Sequence, residues 1–142
     1  MLEERPQKEE IEKPVQENST FVRLVKNEGA KMVLVVRTDL GISGGDVASQ
    51  CAHATLECYR QARQNAPEQL RLWERYGQAK VSVKCRSEDE IKELEAHAHR
   101  IGLVAHAFKD DARAKSGTYT VLGVGPGPIS IVDKVTGHLK LY

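Results

Sequence analysis

The first candidate site residues share one face of a predicted helix. Asp46, Gln50 and His53 stand at positions i, i+4 and i+7, so their side chains form a polar stripe opposite an apolar one. Gln50 could position a substrate or a water molecule, and His53 could donate a hydrogen bond to a phosphate or an ester. The structural alternatives are a solvated glutamine, a structural histidine and an Asp46 carboxylate that caps the free amides at the helix start.

A second candidate group follows the third predicted strand. Asp110 ends this strand, and its carboxylate could orient an attacking water molecule or a basic partner. Arg113 could clamp a phosphate through its planar guanidinium, and Thr120 carries a hydroxyl in the next strand. Each residue also has a purely structural alternative. Asp110 could form a turn with Asp111, Arg113 could be an ordinary surface charge, and Thr120 could reflect the β propensity of threonine.

These residues must be positioned by strands that alternate with helices. The apolar run at residues 32–36 is typical of a strand buried on both faces. A helix predicted at 46–65 follows the carboxyl end of this strand, where ligands bind in open α/β sheets. Ser87 and Glu90 form a capping box that opens a helix ending near Ile101. The remaining predictions are strands at 80–85, 103–108 and 118–124, helices at 68–76 and 129–135, and a turn at 125–128.

Length and composition indicate one globular domain of the α/β layer class. The chain has 142 residues, of which 40% are hydrophobic, and no apolar run reaches the length that crosses a bilayer. Its start lacks the apolar core of a signal peptide, and its 3 cysteines show no CxxC spacing, so we expect a cytoplasmic protein with reduced thiols. A thiol redox function is disfavoured, because Cys51 and Cys58 both fall on the apolar stripe.

The charge distribution separates an N-terminal segment from the rest. Residues 1–30 hold 5 Lys/Arg and 7 Asp/Glu, whereas residues 31–142 hold 16 and 13, which makes the larger part mildly basic. This charge weakly favours a polyanionic partner. We expect residues 1–30 to be mostly a disordered polar tail, although the apolar side chains of residues 19–30 could instead pack on a domain formed by residues 31–142.

Four segments of the chain follow one another in an order that is found in one enzyme family. They are MVLVVRTDL at residues 32–40, VASQCAHA at 47–54, KDDAR at 109–113, and TVLGVGPGP at 120–128 followed by VDKVTGHLKLY at 132–142. Taken together they resemble the type 2 peptidyl-tRNA hydrolases, and the last stretch is especially similar to the eukaryotic branch. The similarity extends over most of residues 31–142.

The resemblance implies a fold, a reaction and roles for the residues named above. The family cleaves the ester between a peptide and the 3′ end of tRNA, without a metal or other cofactor, and is often homodimeric. Its fold is a three-layer α/β arrangement in which a mixed four-stranded sheet carries helices on both faces. By matching position, the implied catalytic residues are Asp110, Thr120 and His53, and the implied substrate-binding residues are Gln50, Arg113 and Asp46.

Two lysines and a threonine of the family's pattern are absent from this chain. The family has a Gly-Lys-Gly-Lys run at the start of the first helix, where this chain has Ser43-Gly44-Gly45-Asp46, and it has threonine where this chain has Ala114. A carboxylate repels phosphate, and the lost hydroxyl could have oriented water. Two functions therefore remain: a peptidyl-tRNA hydrolase that recycles tRNA in translation, or a homologue with weak or no hydrolase activity that binds RNA or another protein.

Overall fold

A computed structural model describes residues 16–113 and 116–142, which form alternating strands and helices. The strands are β1 (Ala30–Arg37), β2 (Lys80–Cys85), β3 (Ala105–Asp110) and β4 (Thr118–Pro128). The helices are α1 (Ser19–Glu28), α2 (Gly44–Asn65), α3 (Pro67–Arg75), α4 (Glu88–Arg100) and α5 (Ile129–Thr136). None of the helices in these residues combines the length and the hydrophobicity that a membrane span requires.

The strands form one mixed sheet in the order β2-β1-β4-β3. β1 and β2 run parallel, whereas β4 is antiparallel to both of its neighbours, β1 and β3. α2 and α3 pack on one face of the sheet, and α4 and α5 pack on the other. The structure therefore confirms the predicted three-layer α/β fold, with a mixed four-stranded sheet and helices on both faces.

β1 lies in the middle of the sheet because its side chains are apolar on both faces. Val33 and Val35 pack in the layer under α4 and α5, and Leu34 and Val36 pack in the layer under α2 and α3. This confirms the prediction of a strand buried on both faces. The chain then leaves the carboxyl end of β1 and enters α2 through a short loop.

Two helices begin at a capping serine. The Ser43 hydroxyl accepts from the Asp46 amide at 3.2 Å, so α2 begins at Gly44 and its cap is Ser43. The cap is thus Ser43 and not the Asp46 carboxylate, which lies in the first turn of α2, where a negative charge suits the helix dipole. The Ser87 hydroxyl accepts from the Glu90 amide at 3.1 Å, which confirms the start predicted for α4.

Part of the N-terminal segment folds onto the domain. The side chains of Phe21 and Val25, one turn apart on α1, are buried, the first in the α4 and α5 layer and the second in the α2 and α3 layer. The expected disordered tail therefore does not reach residue 30, because this pair buries the apolar edge of a helix. Residues 1–15 lie outside the described residues, and for them the tail stays a prediction.

The predicted turn at residues 125–128 is wrong, because this segment continues β4. Lys31 of β1 lies opposite Gly127, and the Gly125–Pro126 peptide bond is cis. Gly125 has a φ of 96°, and a Cβ atom there would lie 2.6 Å from the carbonyl oxygen of Lys31. Only glycine fits so close an approach of the two strands. Pairing with β1 thus overrides the local preference for a turn.

Candidate active site

The candidate site lies where the first turns of α2 meet the end of β3. A continuous set of hydrogen bonds joins five of the six predicted site residues. Thr120 Oγ1 donates to Gln50 Oε1 at 2.6 Å, and Gln50 Nε2 donates to Asp110 Oδ2 at 2.9 Å. Arg113 Nε donates to the same Asp110 oxygen at 2.7 Å, and Arg113 Nη2 donates to Asp46 Oδ2 at 3.0 Å. We refer to these five residues as the Asp110 network.

A β-bulge turns Thr120 toward α2. Phe108 of β3 lies opposite Val121, but the next residue, Lys109, lies opposite Tyr119, so Thr120 is an extra residue in β4. In regular alternation Thr120 would point away from α2, because its neighbour Val121 packs in the α2 layer. The bulge instead directs both side chains toward α2, and the Thr120 hydroxyl reaches Gln50 for this reason.

The Asp110 carboxylate borders an open cleft. Its Oδ1 accepts from the Ala112 amide at 3.1 Å, so the turn after β3 also orients the group. The cleft has a volume of about 460 Å³ and is lined by Asp46, Ser49, Gln50, Phe108, Asp110, Ala112 and Arg113. The carboxylate can therefore meet a molecule in the cleft while both of its oxygens are held by the protein.

Members of the network differ in their access to this cleft. Thr120 is 0% exposed, and Gln50 is 7% exposed. The Arg113 and Asp46 side chains are 26% and 59% exposed. Thr120 therefore lies behind Gln50, whereas Arg113 and Asp46 line the cleft directly.

His53, the sixth predicted residue, lies apart from the network. Its exposed ring packs edge-on against Phe108, with ring centroids 4.9 Å apart, and lies 6.5 Å from the His106 ring. Among the hydrogen bonds of residues 16–113 and 116–142, none joins His53 to Asp110 or Gln50. The fold thus places His53 beside the cleft with two other rings.

The departures from the family's pattern have different surroundings. Asp46 forms an ion pair with Arg113. Gly44 is the first residue of α2, and a Cβ atom there would meet nothing within 4 Å. Ala114 lies outside the described residues. The acid at position 46 therefore holds a cation of the site in place.

A buried arginine beside the site was missed by sequence reasoning. Arg37, which ends β1, is 7% exposed and donates from Nε and Nη2 to the two Asp39 oxygens at 2.9 and 2.6 Å. Its Nη1 donates to Thr118 Oγ1 at 2.7 Å, and the Thr118 hydroxyl also contacts Glu88.

The arginine lowers the pKa of the Asp39 carboxyl through these hydrogen bonds, so the pair stays charged at neutral pH. By donating to the Thr118 hydroxyl and to the Tyr119 carbonyl oxygen, Arg37 also holds the start of β4, two residues before Thr120. One arginine that ends an apolar strand, with an aspartate two residues later, is the pattern that could have revealed it.

The network has the chemistry of a general base with a neighbouring cation. A carboxylate can orient a water molecule and accept its proton, and the Arg113 guanidinium can stabilise negative charge on a carbonyl or phosphate oxygen. In the part of the chain that the structure describes, no three His, Cys, Asp or Glu side chains form a possible metal site. The arrangement suits hydrolysis of an ester on a phosphate-bearing molecule.

Comparisons with known proteins agree with this chemistry. The model of the family "Peptidyl-tRNA hydrolase PTH2" matches residues 30–142. The probable peptidyl-tRNA hydrolase 2 of Schizosaccharomyces pombe is 48% identical over 128 residues, which are 88% of this chain and 62% of the relative. The human protein "Peptidyl-tRNA hydrolase 2, mitochondrial" is 49% identical over 114 residues, 79% of this chain and 64% of the relative.

An archaeal relative matches almost from end to end. The peptidyl-tRNA hydrolase of Thermococcus onnurineus is 42% identical over 113 residues, which are 78% of this chain and 96% of that protein. The two eukaryotic relatives are longer, and the match spans 62% and 64% of their lengths. Residues 30–142, which the family model matches, contain the whole sheet and the complete Asp110 network.

Proposed function

Because this chain belongs to the peptidyl-tRNA hydrolase PTH2 family, we propose that it hydrolyses the ester between a peptide and the 3′ end of tRNA and so recycles tRNA for translation. The observation that carries the proposal is the Asp110 network. It combines a carboxylate, an amide and a guanidinium at one open cleft. Asp110, Gln50, Arg113 and Thr120 also stand at positions where the family has functional residues.

In the proposed reaction Asp110 acts as the general base. A water molecule held by its carboxylate attacks the ester carbonyl carbon, and Asp110 accepts the proton of that water. The bond from this carbon to the ribose oxygen then breaks, and the ribose oxygen takes up the proton that Asp110 accepted, which restores the carboxylate. The products are a peptide with a free carboxyl group and a tRNA with a free 3′ hydroxyl.

Gln50 and Thr120 serve this reaction as positioning residues. The Gln50 amide donates to the Asp110 carboxylate and is itself held by the Thr120 hydroxyl. This arrangement keeps the carboxylate in one orientation toward the cleft, and a fixed orientation contributes to catalysis.

Arg113 supplies a positive charge at the cleft, at a position where the family's pattern also has a basic residue. Its guanidinium bridges Asp110 and Asp46 through Nε and Nη2, and within residues 16–113 and 116–142 no hydrogen bond engages Nη1, which could bind a ligand in the cleft. Asp46 therefore orients the cation that faces substrate. On this view the loss of lysine at position 46 is compatible with activity, which favours the hydrolase over a homologue that only binds RNA or protein.

We also propose that the protein works in the cytoplasm and forms a homodimer. The three cysteines, all within the described residues, are free thiols, as expected in a reducing compartment. The family resemblance supports the homodimer. Light scattering of the purified protein at several concentrations tests the dimer, and fractionation of cells tests the compartment. A monomer at every concentration, or a protein found in an organelle, would contradict these two proposals.

The hydrolase activity is tested with purified protein and N-acetyl-aminoacyl-tRNA, by measuring the release of free tRNA. We expect catalytic release by the wild type and a fall of about 100-fold or more in kcat for Asp110→Asn. Asp133→Asn is the matched control, because Asp133 lies on α5 and pairs with Lys31 away from the cleft. No release above buffer at high protein concentration would reject the hydrolase and leave the binding module.

A further inference from the structure

Three rings that the proposed reaction does not use lie beside the cleft. His53 projects from α2, and His106 and Phe108 project from β3. His53 packs edge-on against Phe108 at 4.9 Å, and the His106 ring lies 6.5 Å away. His53 is exposed, and the other two rings are half-buried. We refer to His53, His106 and Phe108 as the ring cluster.

The ring cluster adjoins the Asp110 network on both α2 and β3. On β3, Phe108 and Asp110 point to the same face and are separated by about 7 Å, because the bulge adds its extra residue to β4 and not to β3. On α2, His53 comes three residues after Gln50, a rise of about 4.5 Å. Phe108 lines the cleft together with Asp110, so the ring cluster lies next to the carboxylate.

The ring cluster is partly open to a ligand, because His53 is exposed while His106 and Phe108 are half-buried. β3 is an edge strand of the sheet. The chain has two phenylalanines. Phe21 is buried in the core, whereas Phe108 is half-buried and lines the cleft. Planar rings of this kind, with one imidazole exposed, are the groups on which proteins stack nucleobases.

We propose that the ring cluster stacks the terminal nucleobase of the tRNA. The inference rests on the proposed function, since it takes the ester carbon to lie at Asp110. The base and the ester are carried by the same ribose, so the base must lie within one nucleoside's length of Asp110. A separation of about 7 Å between Phe108 and Asp110 is of that size.

The alternative occupant is the first side chain of the peptide. Peptides differ in sequence, whereas the 3′ end of tRNA is the same for every substrate. A fixed set of rings suits the invariant 3′ end of tRNA better than a variable peptide, because the planar face of the same base can stack on the rings in every substrate. Two of the three rings are also imidazoles, whose nitrogens can bond to the polar edge of a base.

The test measures binding of deacylated tRNA, which cannot be hydrolysed, and of the same tRNA without its terminal base. We expect removal of the base to weaken binding to the wild type by about 5- to 150-fold. For Phe108→Leu, which keeps the apolar packing, and for His53→Ala, at an exposed position, removal of the base should have a much smaller effect. His138→Ala is the control, since this exposed histidine lies outside the ring cluster, and it should behave as the wild type does.

The outcomes separate this inference from the proposed function. Equal binding of the two tRNAs by the wild type would overturn the inference, whether or not the protein hydrolyses its substrate. An undiminished base effect in both variants would also overturn it. A loss of discrimination between N-acetyl-phenylalanyl- and N-acetyl-glycyl-tRNA in the variants, with the base effect intact, would assign the rings to the peptide. Base-dependent binding without hydrolysis would reject the proposed activity and retain the stacking site.

Discussion

Thr120 carries a hydroxyl that solvent does not reach, so we expect it to influence the proposed reaction through Gln50, to which it donates. The hydroxyl donates to Gln50 Oε1, which leaves the amide nitrogen of Gln50 directed at the Asp110 carboxylate. Without this bond the amide could rotate and present its oxygen to a carboxylate, which would repel it. Thr120 thus sets the orientation of the amide that holds the carboxylate proposed as the general base.

We predict that Thr120→Val lowers kcat by about 10- to 100-fold with little change in KM, because a misoriented base slows the chemical step more than binding. The variant also leaves a buried Gln50 oxygen without a donor, so the free energy of unfolding should fall by about 1 kcal/mol. Thr120→Ser keeps the hydroxyl and should retain most of the activity. Steady-state kinetics and urea unfolding measure both effects, and a wild-type kcat for Thr120→Val would contradict the assigned role.

The Arg113 guanidinium gives a separate prediction at the level of the single residue. Arg113→Ala should lower kcat/KM by about 10- to 100-fold and reduce the slope of log affinity for tRNA against log salt by about 1. Arg60→Ala is the matched control, because Arg60 pairs with Glu57 on the outer face of α2. Equal salt slopes for the two variants would show that Arg113 makes no phosphate contact.

At the scale of elements, α3 depends on a residue that lies far from it in sequence. Ala66 precedes α3 and offers no capping side chain. The Glu17 carboxylate accepts instead from the amides of Glu68 and Gln69, at 2.7 and 2.9 Å. A negative group at this end also suits the helix dipole. The segment before α1 is therefore joined to the domain by the cap that it supplies.

Glu17→Ala should lower the free energy of unfolding by about 1 kcal/mol, the usual cost of a lost cap. Glu17→Gln keeps one acceptor oxygen and should lose less. Hydrogen exchange of the first amides of α3 would locate the effect, since they should exchange faster in Glu17→Ala while those of α4 do not change. Unchanged exchange in α3 would mean that the cap does not form in solution.

The packing of α2 on the sheet depends on Gly123 in β4. A Cβ atom at this position would lie 2.6 Å from Cys58 Sγ and 3.4 Å from the Ala54 carbonyl oxygen. The helix therefore approaches β4 closely, and this approach brings Gln50 within reach of Thr120.

Gly123→Ala should destabilise the fold by about 1 to 3 kcal/mol through overpacking. The cost should be smaller when Cys58→Ala is also present, because the atom that clashes is then gone. Gly45→Ala is the control, since a Cβ atom there meets nothing within 4 Å. Urea unfolding of the wild type, of both single variants at positions 58 and 123 and of the double variant measures the coupling, and a cost that does not depend on Cys58 would contradict the predicted clash.

At the scale of the whole molecule, a buried thiol lies in each of the two layers that flank the sheet. Cys58 packs in the α2 layer and Cys85 in the α4 layer. Burial raises the pKa of the Cys58 thiol from 9.0 to about 12 and that of the Cys85 thiol to about 11. Neither thiol is a nucleophile at neutral pH.

These raised pKa values predict a loss of stability in alkali. The folded protein keeps both protons when the unfolded chain has already released them, so their contribution is complete below about pH 9 and is lost as the pH rises toward 11 to 12. Unfolding by urea at pH 8 to 10.5 should show this decline, with a smaller slope in Cys58→Ala. Equal slopes in the two proteins would show that Cys58 keeps an ordinary pKa.

The sequence by itself determined what depends on near neighbours along the chain. The apolar run of β1 predicted a strand buried on both faces, Ser87 and Glu90 predicted the start of α4, and helical spacing placed Asp46, Gln50 and His53 on one stripe. The two repeat lengths, 3.6 residues in a helix and 2 in a strand, are properties of the backbone. A pattern of side chains within one element therefore carries this information.

Only the tertiary structure decided which polar groups meet. Gln50 binds partners that lie 60 and 70 residues away, and Asp46 meets Arg113 across 67 residues. No local pattern marks Thr120 as the extra residue of a bulge, since the bulge exists only against β3. The extension of β4 through residues 125–128 likewise depends on β1, which pairs with it and outweighs the turn preference of glycine and proline. These features follow from contacts between distant segments, and such contacts are made when the layers pack.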